Sequence, residues 1–461
     1  MNGVRGGSSL QPDGVSTWKA NVDPDSVHQI LRRHLLADGF EFVLDEKKSR
    51  GSWVVDMRDG QSYLDLTSFY CTNALGTNHP ALADDEDFRA ILSSVALNKP
   101  PNSGFYTTYL AQFLLTFERV LGDPELPHLF FVEGGALAVD NALKAAFDWK
   151  SRLNEKKGLT RPLAGMALHL TQAFHGRSGY ALSLTNTESP KTARYPKFPW
   201  PRIQIPAMRF PMDTHRQEVI QAERRALRQA DEAFAQHGDS IACFIAEPIQ
   251  GEGGDNHMRP EFLQAMQEIC RQQEALFVVD EVQTGCGLTG SAWAHQQLGL
   301  TPDIVVFGKK LRVCGMMAGR RIDDIRDNVF TVPDRINSTW GGNLADMVTA
   351  TRILEVIEAD DLFHRATELG ERLLQLLQDV ASAHPAVVSN VRGRGLMCAL
   401  DLPDGIIRDR VIRELISDEH VLVLGCGERS LRLRPALTVE EPELELACGA
   451  LDRVLGSMGS R

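Results

Sequence analysis

No apolar run in this 461-residue chain approaches the roughly 18 residues that a membrane span requires. Its hydrophobic residues, 43% of the whole, are therefore material for a core. The first 17 residues are polar and rich in Gly and Ser, and they lack the apolar stretch of a secretory signal. Basic residues are in deficit: 49 Lys and Arg face 61 Asp and Glu, a net charge of -12. That balance argues against nucleic acid or an anionic membrane as partner, because either calls for a basic surface. Cysteine is sparse and scattered, at 71, 243, 270, 286, 314, 398, 426 and 448, with no CxxC and no metal-ligand spacing. No metal site is expected, and the cysteines read as reduced core residues of a cytoplasmic protein. Internal repeats and low-complexity tracts are absent.

What is present starts with two stretches. Phe277-Val278-Val279-Asp280 and Ile304-Val305-Val306-Phe307-Gly308-Lys309 are short apolar runs, each ending in an ionisable group. Runs of this kind read as buried parallel strands. Residues 291–300 are enough for a helical crossover between them. Neighbouring strands would then deliver Asp280 and Lys309 to one sheet edge, where ligands of open α/β sheets bind. A carboxylate and an amine held together suit pyridoxal 5'-phosphate (PLP), whose aldehyde needs a lysine for a Schiff base and whose ring nitrogen needs an anion to stay protonated. Alone, such a lysine is ordinarily a solvated edge charge and such an aspartate a helix cap.

In context, Asp280-Glu281-Val282-Gln283-Thr284-Gly285, Pro302-Asp303-Ile304-Val305 and Gly308-Lys309 resemble the signature of class III (ω-amino acid) aminotransferases of PLP fold type I. One departure is Leu288, where many members carry arginine. The resemblance covers the chain from about residue 25 onward. It implies an α/β fold, with a large domain built on a mostly parallel central sheet flanked by helices and a smaller α+β domain from the N- and C-terminal segments. The expected divisions are a flexible arm at 1–20, an N-terminal segment at 21–80 packing with the small domain, a large PLP-binding domain at 81–343, and a small domain at 344–461.

Other motifs carry residue roles. Phe130-Phe131-Val132-Glu133-Gly134-Gly135-Ala136 leads into a helical pattern at 137–150. Strand, Gly-Gly turn and helix make a phosphate site, because free N–H groups and the helix dipole face an anion; the resemblance assigns it to Gly135 and Ala136. At Phe174-His175-Gly176-Arg177 it implies stacking of Phe174 on the cofactor ring, a cofactor contact for His175 and a carboxylate clamp in Arg177; core packing and a surface salt bridge are the bland alternatives. Val282 is expected on the opposite ring face and Gln283 at the 3'-oxygen of the cofactor or at the substrate. The resemblance also pairs Glu252 with Arg432, a carboxylate that covers the arginine for an ω-amine donor and swings away for a 2-oxo acid. In Asn337-Ser338-Thr339-Trp340-Gly341-Gly342-Asn343, Ser338 and Thr339 match hydroxyl donors to the phosphate of a partner subunit, which implies a homodimer with shared sites; by itself the stretch reads as a turn. The α-ammonium of a lysine donor needs an acceptor, either Asn337 or a residue within 68–73.

Local signals fill in the rest. Helices are expected at 24–37, 83–98, 105–121, 216–235, 260–274, 344–379, 405–417 and 440–456, and strands at 40–44, 51–57, 241–246, 386–392, 395–401, 421–424 and 430–434. Six prolines between 190 and 211 argue against regular structure there. The activity implied is transfer of the ε-amino group of L-lysine to 2-oxoglutarate, with 4-aminobutyrate or another ω-amino acid as the alternative donor. A PLP-fold protein that only binds is the alternative of another class.

Overall fold

The structure is a computed structural model that describes residues 22–458, so the arm expected at 1–20 lies outside the described residues. At its centre is a seven-stranded sheet ordered His128–Val132, Cys314–Ala318, Ile304–Phe307, Leu276–Asp280, Ile241–Ala246, Met166–Leu170, Arg202–Ile203. Cys314–Ala318 runs antiparallel to both neighbours, and every other pairing is parallel. The architecture is the α/β one expected, a mostly parallel sheet covered by helices.

Period-two alternation distributes the strand residues between two apolar layers. Val278, Ile304, Val306 and Met316 pack with Val139, Ala142 and Ala146 of helix Gly135–Lys156. Phe277, Val279 and Phe244 point the other way, toward Ala226 and Phe234 of Met212–His237 and Phe262 and Met266 of Pro260–Gln272. Because both faces are covered, the strands can be apolar throughout, which is why they read as continuous runs.

A second, four-stranded antiparallel sheet is ordered Ser389–Arg394, Met397–Asp401, Ser430–Leu433, Leu424–Cys426. Strand Val421–Leu422 pairs in parallel with Ser62–Asp65, and the Arg434 N–H donates to the Leu66 carbonyl at 2.7 Å. These bonds tie residues 64–66 to the C-terminal segment, and just beyond them Ser68 Oγ meets Lys310 Nζ at 3.2 Å, past the end of a strand of the large sheet.

Several expectations are corrected. The six-proline stretch contains a helical turn, Ser189–Thr192, and the edge strand Arg202–Ile203; an edge strand tolerates prolines because only one side is paired. The crossover between Asp280 and Ile304 is mostly irregular, with one turn of helix at Ala294–Gln297. Residues 40–44 contribute a single bridge, Leu44 to Asp56, and the helix expected at 24–37 is a 3-10 turn plus Val27–Leu31. The helical run expected at 344–379 breaks at Asp361, whose φ is +47°, into Leu344–Ala359 and Leu362–Ala383. The first half packs through Leu344 and Val348 on Val95, while Leu373 and Leu377 of the second lie in one cluster with Leu400 and Leu431 of the smaller sheet.

Candidate active site

Asp280 and Val306 are directly opposed in the parallel ladder, so both strand ends open on the same edge. There a cavity of about 860 Å³ is lined by Gly135, Ala136, Phe174, His175, Arg177, Glu252, Asp280, Val282, Gln283, Lys309 and Arg432. Among the expected site residues, Ser338, Thr339 and Asn337 do not line it. The Ser338 N–H donates to the Asn337 side-chain oxygen at 2.7 Å, the Thr339 carbonyl accepts from Ser103 at 2.7 Å, and the Asn337 amide reaches Asp334 at 3.3 Å. Of the two candidates for the lysine α-ammonium, then, Asn337 lies outside the cavity of its own chain, while Phe69, Tyr70, Thr72 and Asn73 line it.

Alternation selects one member of each neighbouring pair of charges. Asp280 faces the cavity, whereas Glu281 turns into the protein and accepts from the His295 N–H at 2.7 Å. Lys309 faces the cavity with φ +48°, a left-handed conformation that non-glycine residues rarely hold. Lys310 is buried beneath it, donating to Ser68 Oγ at 3.2 Å and the Pro435 carbonyl at 3.3 Å; burial holds its amine below the usual value.

Asp280 is 4% exposed, with Oδ2 2.7 Å from His175 Nδ1 and Oδ1 accepting from the Val282 N–H at 3.0 Å. A carboxylate acceptor places a proton on Nδ1. Burial alone would push the imidazole down, but the hydrogen bond and charge of Asp280 prevail and raise it above its ordinary value. Glu247 closes the group: burial pushes it up to about 7, and it accepts from the N–H groups of Phe174 at 3.0 Å and Gly251 at 3.1 Å.

At the other end Glu252 and Arg432 form an ion pair of 2.6 Å. Burial would raise the Glu252 carboxyl, yet the Arg432 charge, helped by Lys191, brings it down to about 2. Arg432 Nε and Nη1 are buried without a partner in this state. Arg177 is exposed at the rim, its guanidinium 5.9 Å from the centre of the Phe174 ring.

Three features fit PLP. Helix Gly135–Lys156 begins at the cavity with no side-chain cap, so its first N–H groups are available to a phosphate. His175 Nε2 and Gln283 Oε1 are buried and unpartnered. The backbone around the floor is tightly packed: a Cβ on Gly176, whose φ is +137°, would come within 2.5 Å of the Ala136 Cβ.

Three contributors have a role that sequence reasoning did not specify, and one of them, Lys191, it missed altogether. Glu247 directly follows the buried strand Ile241–Ala246, in a stretch whose glutamates the family resemblance places beside the cofactor. The stretch Ser68, Phe69, Tyr70, Cys71 is a left-handed turn with φ of +42°, +52°, +59° and +71°, held by buried Asp65, which accepts from Thr67 and Phe69 N–H at 2.7 and 3.3 Å. It presents the Tyr70 carbonyl to Lys309 Nζ at 3.2 Å. Lys191, at the helical turn in the proline-rich stretch, reaches Glu252 at 2.9 Å, and no sequence signal marks it.

The profile of the family described as "Aminotransferase class-III" matches residues 37–455. The chain is 56% identical to the L-lysine-epsilon aminotransferase of Amycolatopsis lactamdurans, over 95% of this chain and 98% of that one. A solved structure of the lysine aminotransferase from M. tuberculosis in the internal aldimine form superposes with a TM-score of 0.93 at 57% identity, covering 95% of this chain and all 100% of its own. Human mitochondrial 4-aminobutyrate aminotransferase is more distant, at 30% identity over 91% of this chain and 86% of its own length.

Proposed function

The chain belongs to the class-III aminotransferases, and from that premise we propose that it moves the ε-amino group of L-lysine to 2-oxoglutarate with PLP as cofactor. The products are 2-aminoadipate 6-semialdehyde, which cyclises to piperideine-6-carboxylate, and L-glutamate. One observation carries the reading: the Lys309 amine, the Asp280–His175 pair and the Glu252–Arg432 pair line a single cavity. Identity of 56% with a lysine enzyme against 30% with a 4-aminobutyrate enzyme supports the choice of donor.

When bound, PLP supplies an electrophilic carbonyl for the amine and an electron sink for the carbanion formed beside it. In this reading the uncapped N–H groups at Gly135 and Ala136 would take the phosphate, Phe174 and Val282 would enclose the ring, and Gln283 would reach the 3'-oxygen. Asp280, oriented by its hydrogen bond with His175, would hold the proton on the ring nitrogen. Lys309 would anchor the cofactor, and its amine is the group that would carry the proton from the donor carbon. The Tyr70 carbonyl accepts a hydrogen bond from that amine at 3.2 Å and so orients it.

Two substrates must share one pocket. 2-Oxoglutarate has a carboxylate beside the reacting carbon, whereas lysine has only hydrogen there. A buried arginine facing a CH2 would be uncompensated, at several kcal/mol. Glu252 neutralises Arg432 for lysine and withdraws for the oxo acid, while Arg177 at the rim takes the far carboxylate in both halves. Ser338 and Thr339 act in the site of a second copy, which makes the protein a homodimer. A cytoplasmic setting accords with eight unpaired cysteines, seven of them buried.

A donor panel of lysine, ornithine and 4-aminobutyrate tests the assignment, with the cyclic imine followed as product. Lysine is expected to have the highest kcat/KM; a higher value for 4-aminobutyrate would reassign the donor. Absorbance of the purified protein that failed to bleach with any amine would favour a protein that only binds.

A further inference from the structure

The Glu252 carboxylate is held at both oxygens by different cations. Oε1 meets Arg432 at 2.6 Å, and Oε2 meets Lys191 Nζ at 2.9 Å. The two cations differ in setting. Arg432 is buried on strand Ser430–Leu433, with its Nε and Nη1 lacking partners. Lys191 sits on the helical turn Ser189–Thr192, outside both sheets, with its side chain 20% exposed. Its amine also pairs with Glu188 at 2.8 Å and lies 5.5 Å from the centre of the Phe174 ring.

From this arrangement, and resting on the reading of Glu252 as a carboxylate that leaves Arg432, we propose that Lys191 is the second station of that movement, a specificity-determining residue that keeps Glu252 paired when a substrate carboxylate takes Arg432. An incoming carboxylate would otherwise meet one cation already neutralised by one anion, and the displaced Glu252 would be an unpaired charge close to the dicarboxylate. With Lys191 in place two separate pairs result, substrate with Arg432 and Glu252 with Lys191, and no charge is stranded. Glu188 offsets Lys191 meanwhile, so the lysine amine carries less net attraction for the substrate itself. The chain geometry favours this direction of travel: Arg432 is fixed in a ladder, while Glu252 follows a strand end in the irregular stretch 251–255.

The test uses the variants Lys191→Met and Lys191→Arg, loaded with PLP for the lysine half-reaction and with the aminated cofactor, pyridoxamine 5'-phosphate, for 2-oxoglutarate. Binding of 2-oxoglutarate is measured by isothermal titration calorimetry, and the two half-reactions by single-turnover absorbance. For Lys191→Met we expect binding of 2-oxoglutarate and its KM to weaken roughly tenfold relative to the KM for lysine, with kcat little changed, a factor in the range of coupling between neighbouring sites. Lys191→Arg should restore most of the ratio, which a packing defect would not allow. In a Glu252→Gln background Lys191→Met should have no further effect on the ratio, because the carboxylate it serves is gone. An unchanged ratio in Lys191→Met, equal weakening of both substrates, or full additivity in the double variant would overturn the proposal. The role of Glu252 is judged separately by the lysine half-reaction of Glu252→Gln, so the two readings fail independently.

Discussion

Replacing Glu252 with Gln probes the pairing on which donor and acceptor selection turns. The carboxyl moves from 4.5 to about 2, with burial opposing and Arg432 chiefly driving the change. At about 1.4 kcal/mol per unit this corresponds to about 3 kcal/mol. The side chain is 21% exposed, and solvent screening reduces the figure to about 2 kcal/mol. Because the folded-state value lies below the ordinary one, the stabilisation is present above about pH 4.5 and is lost as pH falls toward about 2. Glu252→Gln should therefore shift the denaturation midpoint at pH 7 by an amount equivalent to about 2 kcal/mol, and the difference from the parent should close in acid. The same substitution leaves the Arg432 charge uncompensated opposite the CH2 of lysine. Single-turnover kcat/KM for lysine should drop about 30-fold, the equivalent of about 2 kcal/mol, while the oxo-acid half-reaction keeps its rate. A lysine half-reaction as fast as the parent's would refute the argument, and so would equal slowing of both halves.

Lys309→Ala should lower turnover by at least about 10³-fold without altering the circular dichroism spectrum, since the amine bonds only the Tyr70 carbonyl. Gly176→Ala places a Cβ 2.5 Å from that of Ala136 at a φ of +137°; a strain of about 1–3 kcal/mol should appear as weaker PLP retention on dialysis. If Thr339 serves a neighbouring subunit, mixing Lys309→Ala with Thr339→Ala under conditions of subunit exchange should give more activity than the two measured apart, because one site of the mixed dimer is intact. Sedimentation should find the mass of two chains.

Much of the fold was legible because its determinants are local. Buried parallel strands such as Leu276–Asp280 and Ile304–Phe307 are unbroken apolar runs, and helix Gly135–Lys156 carries its apolar residues at helical spacing behind a Gly-Gly turn. Errors fell where neighbours overrode local preference. Arg202–Ile203 is a strand only because Met166–Leu170 offers it an open edge. Asp361 breaks what reads as one helix, the first half lying chiefly against helix Thr108–Leu121 and the second against helix Glu441–Met458 and strand Ser389–Arg394.

The amino-acid sequence determined which chemical groups were available and, through strand-end placement, that Asp280 and Lys309 would share an edge. Tertiary structure alone decided what stands beside them. Glu252 meets Arg432 across 180 positions of chain, His175 meets Asp280 across 105, and Lys191 meets Glu252 across 61. No local periodicity reports such distances. A side chain's protonation and reach depend on burial and on the charges the fold brings within a few ångströms, and those are properties of the packed molecule.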